Sequence, residues 1–139
     1  MQLKEEILHV GLRVSLYIEH PTEDLSSLSE KLGFPIFRIW LSGDQRKTPR
    51  GDLLEGKYTC SYSCIRLNDE DRDIIDLIEE FLDVTSQYRT EFQALYETGG
   101  YFSLNIFDVS DGRLAIVFET ELLQRLASMH FSLGLEKLP

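Results

Sequence analysis

The sequence contains few of the residues that crosslink small domains, bind metal ions or interrupt secondary structure. Two cysteines, three histidines and four prolines occur among its 139 residues. Cys60 and Cys64 lie in one predicted strand, where residues four apart are separated by about 13 Å. That separation is too large for a disulfide between them, so we expect two free thiols. The cysteines and histidines also lack the spacing of metal ligands, and we predict no metal and no cofactor.

Long apolar runs are also missing. No segment approaches the roughly 18 uninterrupted apolar residues of a membrane span, so we predict no membrane association. Glu5 and Glu6 stand where a signal peptide would carry basic residues, and we therefore expect a cytoplasmic protein. Motifs of nucleophilic catalysis, such as Gly-x-Ser-x-Gly, do not occur. The sequence thus predicts no catalytic residue and favours a binding protein over an enzyme.

Positive charge is scarce relative to negative charge. Fourteen Lys and Arg residues oppose twenty-four Asp and Glu residues, which gives a net charge of −10. Such a mean field repels a phosphate backbone, and we predict no nucleic-acid partner.

Hydrophobic periodicity predicts one α+β domain over residues 1–139. Alternation with a period of two indicates strands, and a period of 3.6 indicates helices. The predicted strands are 8–19, 36–41, 57–66, 101–108 and 113–119, with a hairpin at 110–112 between the last two. The predicted helices are 22–32, 69–83, 85–98 and 120–129, with N-caps at Thr22, at Asn68 or Asp69, at Thr85 or Ser86, and at Thr120. Residues 42–56 are predicted to be a long polar loop.

The resulting order, β-α-β-β-α-α-β-β-α, is typical of a two-layer sandwich. We expect a mostly antiparallel sheet of about five strands with helices on one face. Several aromatic residues lie on predicted strands: Trp40, Tyr58, Tyr62, Tyr101, Phe107 and Phe118. We predict that they pack in the core beneath the helices, and stacking on nucleic-acid bases is the alternative.

An acidic amphipathic helix is the strongest local pattern. One apolar stripe consists of Ile74, Leu77, Ile78, Phe81 and Leu82. The interval 69–83 contains eight acidic residues and one basic residue, a net charge of −7. An EF-hand calcium loop is excluded, because Ile74 stands where a glycine is required. Asp69, Asp73, Asp76 and Glu80 are candidates for binding a basic protein partner, and a solvated helix face is the alternative.

The predicted loop contains the only basic cluster in the sequence, which consists of Arg46, Lys47 and Arg50. Guanidinium groups beside free backbone N–H groups can hold a phosphate or a carboxylate. We therefore interpret these residues as a candidate anion-binding site, and an ordinary surface loop is the alternative.

Several sequence marks resemble the bacterial proteins grouped as domain of unknown function 4279. The marks are Arg13-Val-Ser-Leu-Tyr-Ile18, Lys31-Leu-Gly-Phe-Pro35, Gly43-Asp44, Gly56-Lys57-Tyr58, Gly99-Gly100, Thr120-Glu-Leu-Leu123 and Leu126-Ala127. The resemblance covers nearly the whole chain. It implies a compact bacterial α+β domain, and it implies no reaction and no catalytic residue.

These observations lead to one preferred function and two alternatives. We expect a non-catalytic protein-binding module, acting as an inhibitor or immunity-type partner of another protein. The first alternative is a small anionic-ligand binder or enzyme that uses Arg46, Lys47 and Arg50. The second is a homo-oligomer, in which an exposed strand edge or aromatic face pairs with another copy.

Overall fold

A computed structural model describes residues 10–110, 112 and 114–138. The strands are β1 (Leu12–His20), β2 (Ile36–Trp40), β3 (Gln45–Lys47), β4 (Leu53–Lys57), β5 (Ser61–Arg66), β6 (Tyr101–Asp108) and β7 (Phe131–Lys137). The helices are α1 (Ser26–Lys31), α2 (Ile74–Thr85), α3 (Arg89–Glu97) and α4 (Thr120–Ser128), with a 3-10 turn (Ser86–Tyr88) between α2 and α3. In the part of the chain that is described, no helix is long and apolar enough to cross a membrane.

Five strands form one sheet in the order β2-β5-β1-β6-β7. All neighbouring pairs are antiparallel except β6 and β7, which are parallel. The helices lie on one face of this sheet. The predicted α+β architecture, with a mostly antiparallel five-stranded sheet and helices on one side, is therefore confirmed.

The core lies between the sheet and α2. Alternate residues of β1, from Leu12 to Ile18, are at most 1% exposed and point towards the helices. The predicted apolar stripe of α2 is buried as expected, with Phe81 at its centre. The Phe81 ring packs against Phe34 and Phe131, with ring centroids 6.2 and 5.3 Å apart. Burial of one such side chain contributes about 1.5–3 kcal/mol, so α2 is held mainly by this stripe.

The predicted starts of the helices were wrong. Asp73, not Asn68 or Asp69, caps α2, because its Oδ1 accepts hydrogen bonds from Ile75 N and Asp76 N. Asn68 instead extends the sheet: its side chain accepts from Val14 N at 2.8 Å and donates to Leu12 O at 3.0 Å.

The other helices also begin without the predicted caps. Thr22 lies four residues before α1, and its N–H donates to His20 Nδ1. Thr120 is the first residue of α4 rather than its cap, and the 3-10 turn separates Thr85 and the start of α3.

The predicted hairpin after β6 was wrong in the part that the structure describes. Residues 114–119 form no strand, and Asp111 and Arg113 lie outside the described residues. After Asp108 the chain turns at Ser110, whose N–H and hydroxyl donate to Asp108 Oδ1. The fifth strand of the sheet is β7, which the prediction missed. It returns parallel to β6, and α4 provides the crossover that parallel strands require.

The predicted loop 42–56 was also wrong, because it contains the antiparallel hairpin β3–β4. Lys57 belongs to β4 rather than to β5. Tyr58 closes the base of the hairpin, because its N–H donates to Asp44 O and its carbonyl accepts from Gly43 N.

Candidate anion-binding site

The face of the sheet opposite the helices carries aromatic and basic side chains. Residues that pair across neighbouring strands share a face. Trp40 pairs with Tyr62, Arg38 with Cys64, Cys64 with Tyr17, and Phe107 with Arg13. We call this surface the helix-free face. The prediction that the aromatic residues pack beneath the helices was wrong for the ring side chains on this face.

Four aromatic side chains cross the helix-free face from β2 to β6 and form the aromatic row: Trp40, Tyr62, Tyr17 and Phe107. Neighbouring ring centroids in this row are 4.3, 5.9 and 6.4 Å apart. All four residues are half-buried. The row therefore covers the outer surface of the central strands, where no helix of the described part of the chain lies.

The ring faces of Trp40 are already occupied. Tyr58 stacks on Trp40 at 4.0 Å and Tyr62 stacks on it at 4.3 Å. If the Tyr58 and Tyr62 rings lay on the same side of the indole at these distances, they would clash with each other. They therefore lie on opposite sides of the indole. Trp40 therefore has no open face on which a nucleic-acid base could stack.

A basic concavity of about 440 Å³ adjoins Trp40 and the hairpin. Its cationic lining consists of Arg38, Arg46 and Lys47, and its apolar lining includes Trp40, Tyr58 and Leu54. Within the described residues, no carboxylate lines this concavity. Its size falls in the range of small-ligand sites.

The Tyr58 hydroxyl fixes the geometry of the basic concavity. It donates to Lys47 O at 2.9 Å and accepts from Lys47 N and from Arg38 Nη2, both at 3.2 Å. Arg38 also donates to Lys47 O, and its guanidinium carbon lies 4.8 Å from the Trp40 ring centroid. The hairpin and β2 thus hold the Arg38 guanidinium in one position while leaving several of its N–H groups for a ligand.

The cations of the basic concavity differ from four other cations, which are neutralised by carboxylates. Arg13, Arg72, Arg125 and Lys137 form ion pairs with carboxylates at 2.8–3.3 Å. Arg38, Arg46 and Lys47 form no ion pair with any residue that the structure describes. Three unneutralised cations in one concavity of an acidic protein create a local field that attracts anions.

The structure brings together two of the three predicted anion-binding residues. Arg46 and Lys47 both line the basic concavity, whereas Arg50 is not among its lining residues. Arg38, Trp40 and Tyr58 were not predicted as site residues. Alternation on β2 places Arg38 and Trp40 on the same face, which is the signal that could have found them.

A second, more apolar concavity of about 460 Å³ lies on the same face. Its lining includes Phe37, Tyr17, Phe107, Val109, Cys64 and Arg66. The Arg66 guanidinium lies 3.7 Å from the Phe37 ring centroid. Burial raises the pKa of Cys64, so its thiol stays protonated at neutral pH and is a poor nucleophile. We call this surface the apolar concavity.

The four predicted acidic partner-binding residues do not share one surface. Asp69 precedes α2 and lines the apolar concavity, and Asp73 caps α2. Asp76 and Glu80 are exposed on α2, but Arg72 donates to Glu80 Oε2 at 2.8 Å. A similar ion pair joins Arg125 to Asp83, so part of the helix charge is neutralised locally.

Asp71 ties the segment before α2 to β1. Its Oδ1 accepts from Arg13 Nη1 at 2.9 Å and from Gly11 N at 3.0 Å. These hydrogen bonds, from Arg13 first, lower the pKa of Asp71. Among the described residues, no three His, Cys, Asp or Glu side chains come close enough together to hold a metal ion.

Comparison with protein-family models, with curated proteins and with solved structures found no match to this chain. The resemblance to domain of unknown function 4279 therefore stays a prediction.

Proposed function

We propose that this protein is a non-catalytic binding module that holds an anionic group in the basic concavity. The anionic group would be a phosphate or a carboxylate of a ligand or of a partner. The observation that carries the proposal is the set of three cations, Arg38, Arg46 and Lys47, in one concavity that no carboxylate of the described residues lines. Guanidinium and ammonium groups bind such oxyanions through charge-assisted hydrogen bonds.

Preorganisation supports the proposal. Arg38 is held by Lys47 O and by the Tyr58 hydroxyl, and it lies against Trp40. A ligand that binds there does not have to order this side chain, which reduces the entropic cost of binding. A freely moving surface arginine would lack this advantage.

Trp40 supplies the measurement, because it is the only tryptophan of the sequence and lines the basic concavity. We expect the fluorescence of Trp40 to change and then saturate when pyrophosphate is added at constant ionic strength. Arg38→Gln and Lys47→Gln should each weaken binding about tenfold or more, because each removes a charge-assisted hydrogen bond of roughly 1.5–3 kcal/mol.

Lys31→Gln is the matched control, since it removes one exposed positive charge from α1 on the other side of the sheet. Equal weakening in Lys31→Gln and Arg38→Gln would mean that only net charge matters. That result, or the absence of saturable binding to the wild-type protein, would refute the proposal.

A second candidate is the capture of a basic protein partner by α2. Asp76 and Glu79 favour it, because both are exposed on α2 and neither forms an ion pair with the described residues. An inhibitor or immunity-type role would use such a surface to steer its partner.

The same titrations separate the two candidates when a labelled oligolysine peptide replaces pyrophosphate. If α2 captures basic partners, Asp76→Asn combined with Glu79→Gln weakens oligolysine binding, whereas Arg38→Gln does not. Equal oligolysine binding by wild-type protein and the α2 variant would reject this candidate.

A further inference from the structure

We propose that the occupant of the helix-free face is an extended acidic peptide segment of a partner protein, with an apolar side chain a few residues from its carboxylates. This inference rests on the proposed anion site and names the class of partner that would use it. The basic concavity would hold the carboxylates, and the apolar concavity would hold the apolar side chain.

The two concavities adjoin on one surface, because Phe37 of the apolar concavity is the sequence neighbour of Arg38 in the basic one. Trp40 and Arg38 border the basic concavity, while Phe37, Tyr17 and Phe107 border the apolar one. The strands between Trp40 and Phe107 are consecutive neighbours in the sheet, β2, β5, β1 and β6. At about 4.8 Å between strands, the surface from β2 to β6 is roughly 14 Å wide, which an extended peptide covers with about four residues.

The chemistry of the two ends differs in a way that suits one amphipathic chain. The basic concavity presents Arg38, Arg46 and Lys47 without an ion pair to any described carboxylate. In the apolar concavity, the rings of Phe37, Tyr17 and Phe107 surround a space large enough for an apolar or aromatic side chain.

Arg66 adds a charge at the apolar end. Its guanidinium is exposed, lies over Phe37 and forms no ion pair with the described part of the chain. A second carboxylate beside the apolar side chain could therefore be bound there. Asp69 also lines the apolar concavity, so the charge preference for an acidic segment comes mainly from the basic concavity.

Other occupants fit this face less well. A single phosphate would use the basic concavity and leave the apolar one empty. A single-stranded nucleic acid would need open ring faces, and both faces of Trp40 are covered by Tyr58 and Tyr62.

The experiment uses fluorescence anisotropy of a labelled peptide in which several glutamates are followed, after a spacer of about three or four residues, by a phenylalanine. A second peptide carries serine in place of the phenylalanine, and a third carries glutamine in place of the glutamates. We expect each replacement to weaken binding to the wild-type protein about tenfold or more.

The variant Phe37→Ser tests whether the apolar concavity receives the phenylalanine. Phe37 is 52% exposed, so its replacement removes little of the core. The phenylalanine and serine peptides should bind this variant equally. Leu123→Ser is the matched control, because Leu123 is 42% exposed on α4, and there the difference between the two peptides should persist.

The outcomes distinguish this inference from the proposed function. Equal binding of the phenylalanine and serine peptides to wild-type protein overturns the inference, while pyrophosphate binding at Trp40 would still support the anion site. Competition by an oligothymidylate that exceeds competition by the peptide also overturns it. Loss of both peptide and pyrophosphate binding would refute the inference and the proposed function together.

Discussion

Buried polar side chains fix the chain at the ends of the central strands. His20 is 2% exposed, and its Nδ1 accepts from Thr22 N and Glu23 N. Its other ring nitrogen lies 2.7 Å from Thr98 Oγ1, and because Nδ1 acts as an acceptor, Nε2 is the donor there. The last residue of β1 thus binds both the following turn and the end of α3, which explains why a histidine is tolerated inside the core.

Asp108 has the corresponding role at the end of β6, where it is 1% exposed. Hydrogen bonds from Ser110, and more weakly the ammonium of Lys137, hold the pKa of Asp108 below its usual range. Because the pKa is lower in the folded state than in the unfolded one, the resulting stability is present above the unfolded value of about 3.9. It is lost as the pH falls through the folded value.

We therefore expect Asp108→Asn to destabilise the protein at pH 7, because the amide oxygen can still accept from Ser110 but the negative charge that strengthens these hydrogen bonds and attracts Lys137 is lost. Urea denaturation at a series of pH values would measure this difference. The gap between wild-type protein and variant should shrink below about pH 4, where the carboxylate is protonated in the unfolded state. Asp24→Asn is the control for an exposed Asp whose pKa is also lowered, and it should change stability much less. A gap for Asp108→Asn that is independent of pH would contradict this account.

At the scale of single elements, the sequence predicts what local periodicity encodes and misses what depends on distant partners. The stripe from Ile74 to Leu82 predicts α2 because its members all contact one core. The start of the same helix is mispredicted, because Asn68 and Asp71 have distant partners on β1 that no local pattern reveals. β7 is missed for a similar reason: its pairing with β6 is parallel and depends on a crossover through α4.

The candidate site shows the same division. Alternation predicts that Arg38 and Trp40 share a sheet face, but only the order of the strands decides whether helices cover that face. The basic residues Arg46 and Lys47 were found from composition alone. Arg38 joins them only because the hairpin folds back onto β2 through Tyr58.

Tyr58→Phe tests this attachment of the hairpin. Phenylalanine keeps a ring that can stack on Trp40 but removes the hydroxyl that bonds the main chain of Lys47. We expect hydrogen exchange at the amide of Lys47 to accelerate about five- to tenfold, as the loss of one hydrogen bond of about 1 kcal/mol implies. Exchange in β1 should be unchanged.

Tyr101→Phe is the matched control, because Tyr101 is 51% exposed and its hydroxyl bonds no described residue. If both variants exchange like wild-type protein at Lys47, the hydroxyl does not hold the hairpin. The proposed preorganisation of Arg38 would then lose its basis.

At the scale of the whole molecule, exposed carboxylates lie on both sides of the sheet, with Glu19 and Glu136 on the helix-free face. Asp76 and Glu79 are exposed on α2, whereas Arg38, Arg46 and Lys47 gather on the helix-free face. The net charge of −10 nevertheless acts on the whole fold as self-repulsion. The exposed ion pair of Arg72 with Glu80 and that of Arg125 with Asp83 offset little of this, since such pairs contribute about 0–1 kcal/mol each.

Because self-repulsion outweighs the exposed ion pairs, we predict that salt stabilises the protein. Raising NaCl to a few tenths molar shortens the Debye length to below about 10 Å and screens the repulsion among the carboxylates. We expect the free energy of unfolding in urea to rise by on the order of 1 kcal/mol between low and moderate salt. Chloride bound in the basic concavity would also raise the free energy of unfolding. The salt series is therefore repeated on the double variant that combines Arg38→Gln and Lys47→Gln. A rise that persists in this double variant reflects screening, whereas a rise that disappears reflects anion binding. A fall with salt in both proteins would mean that the ion pairs outweigh the repulsion.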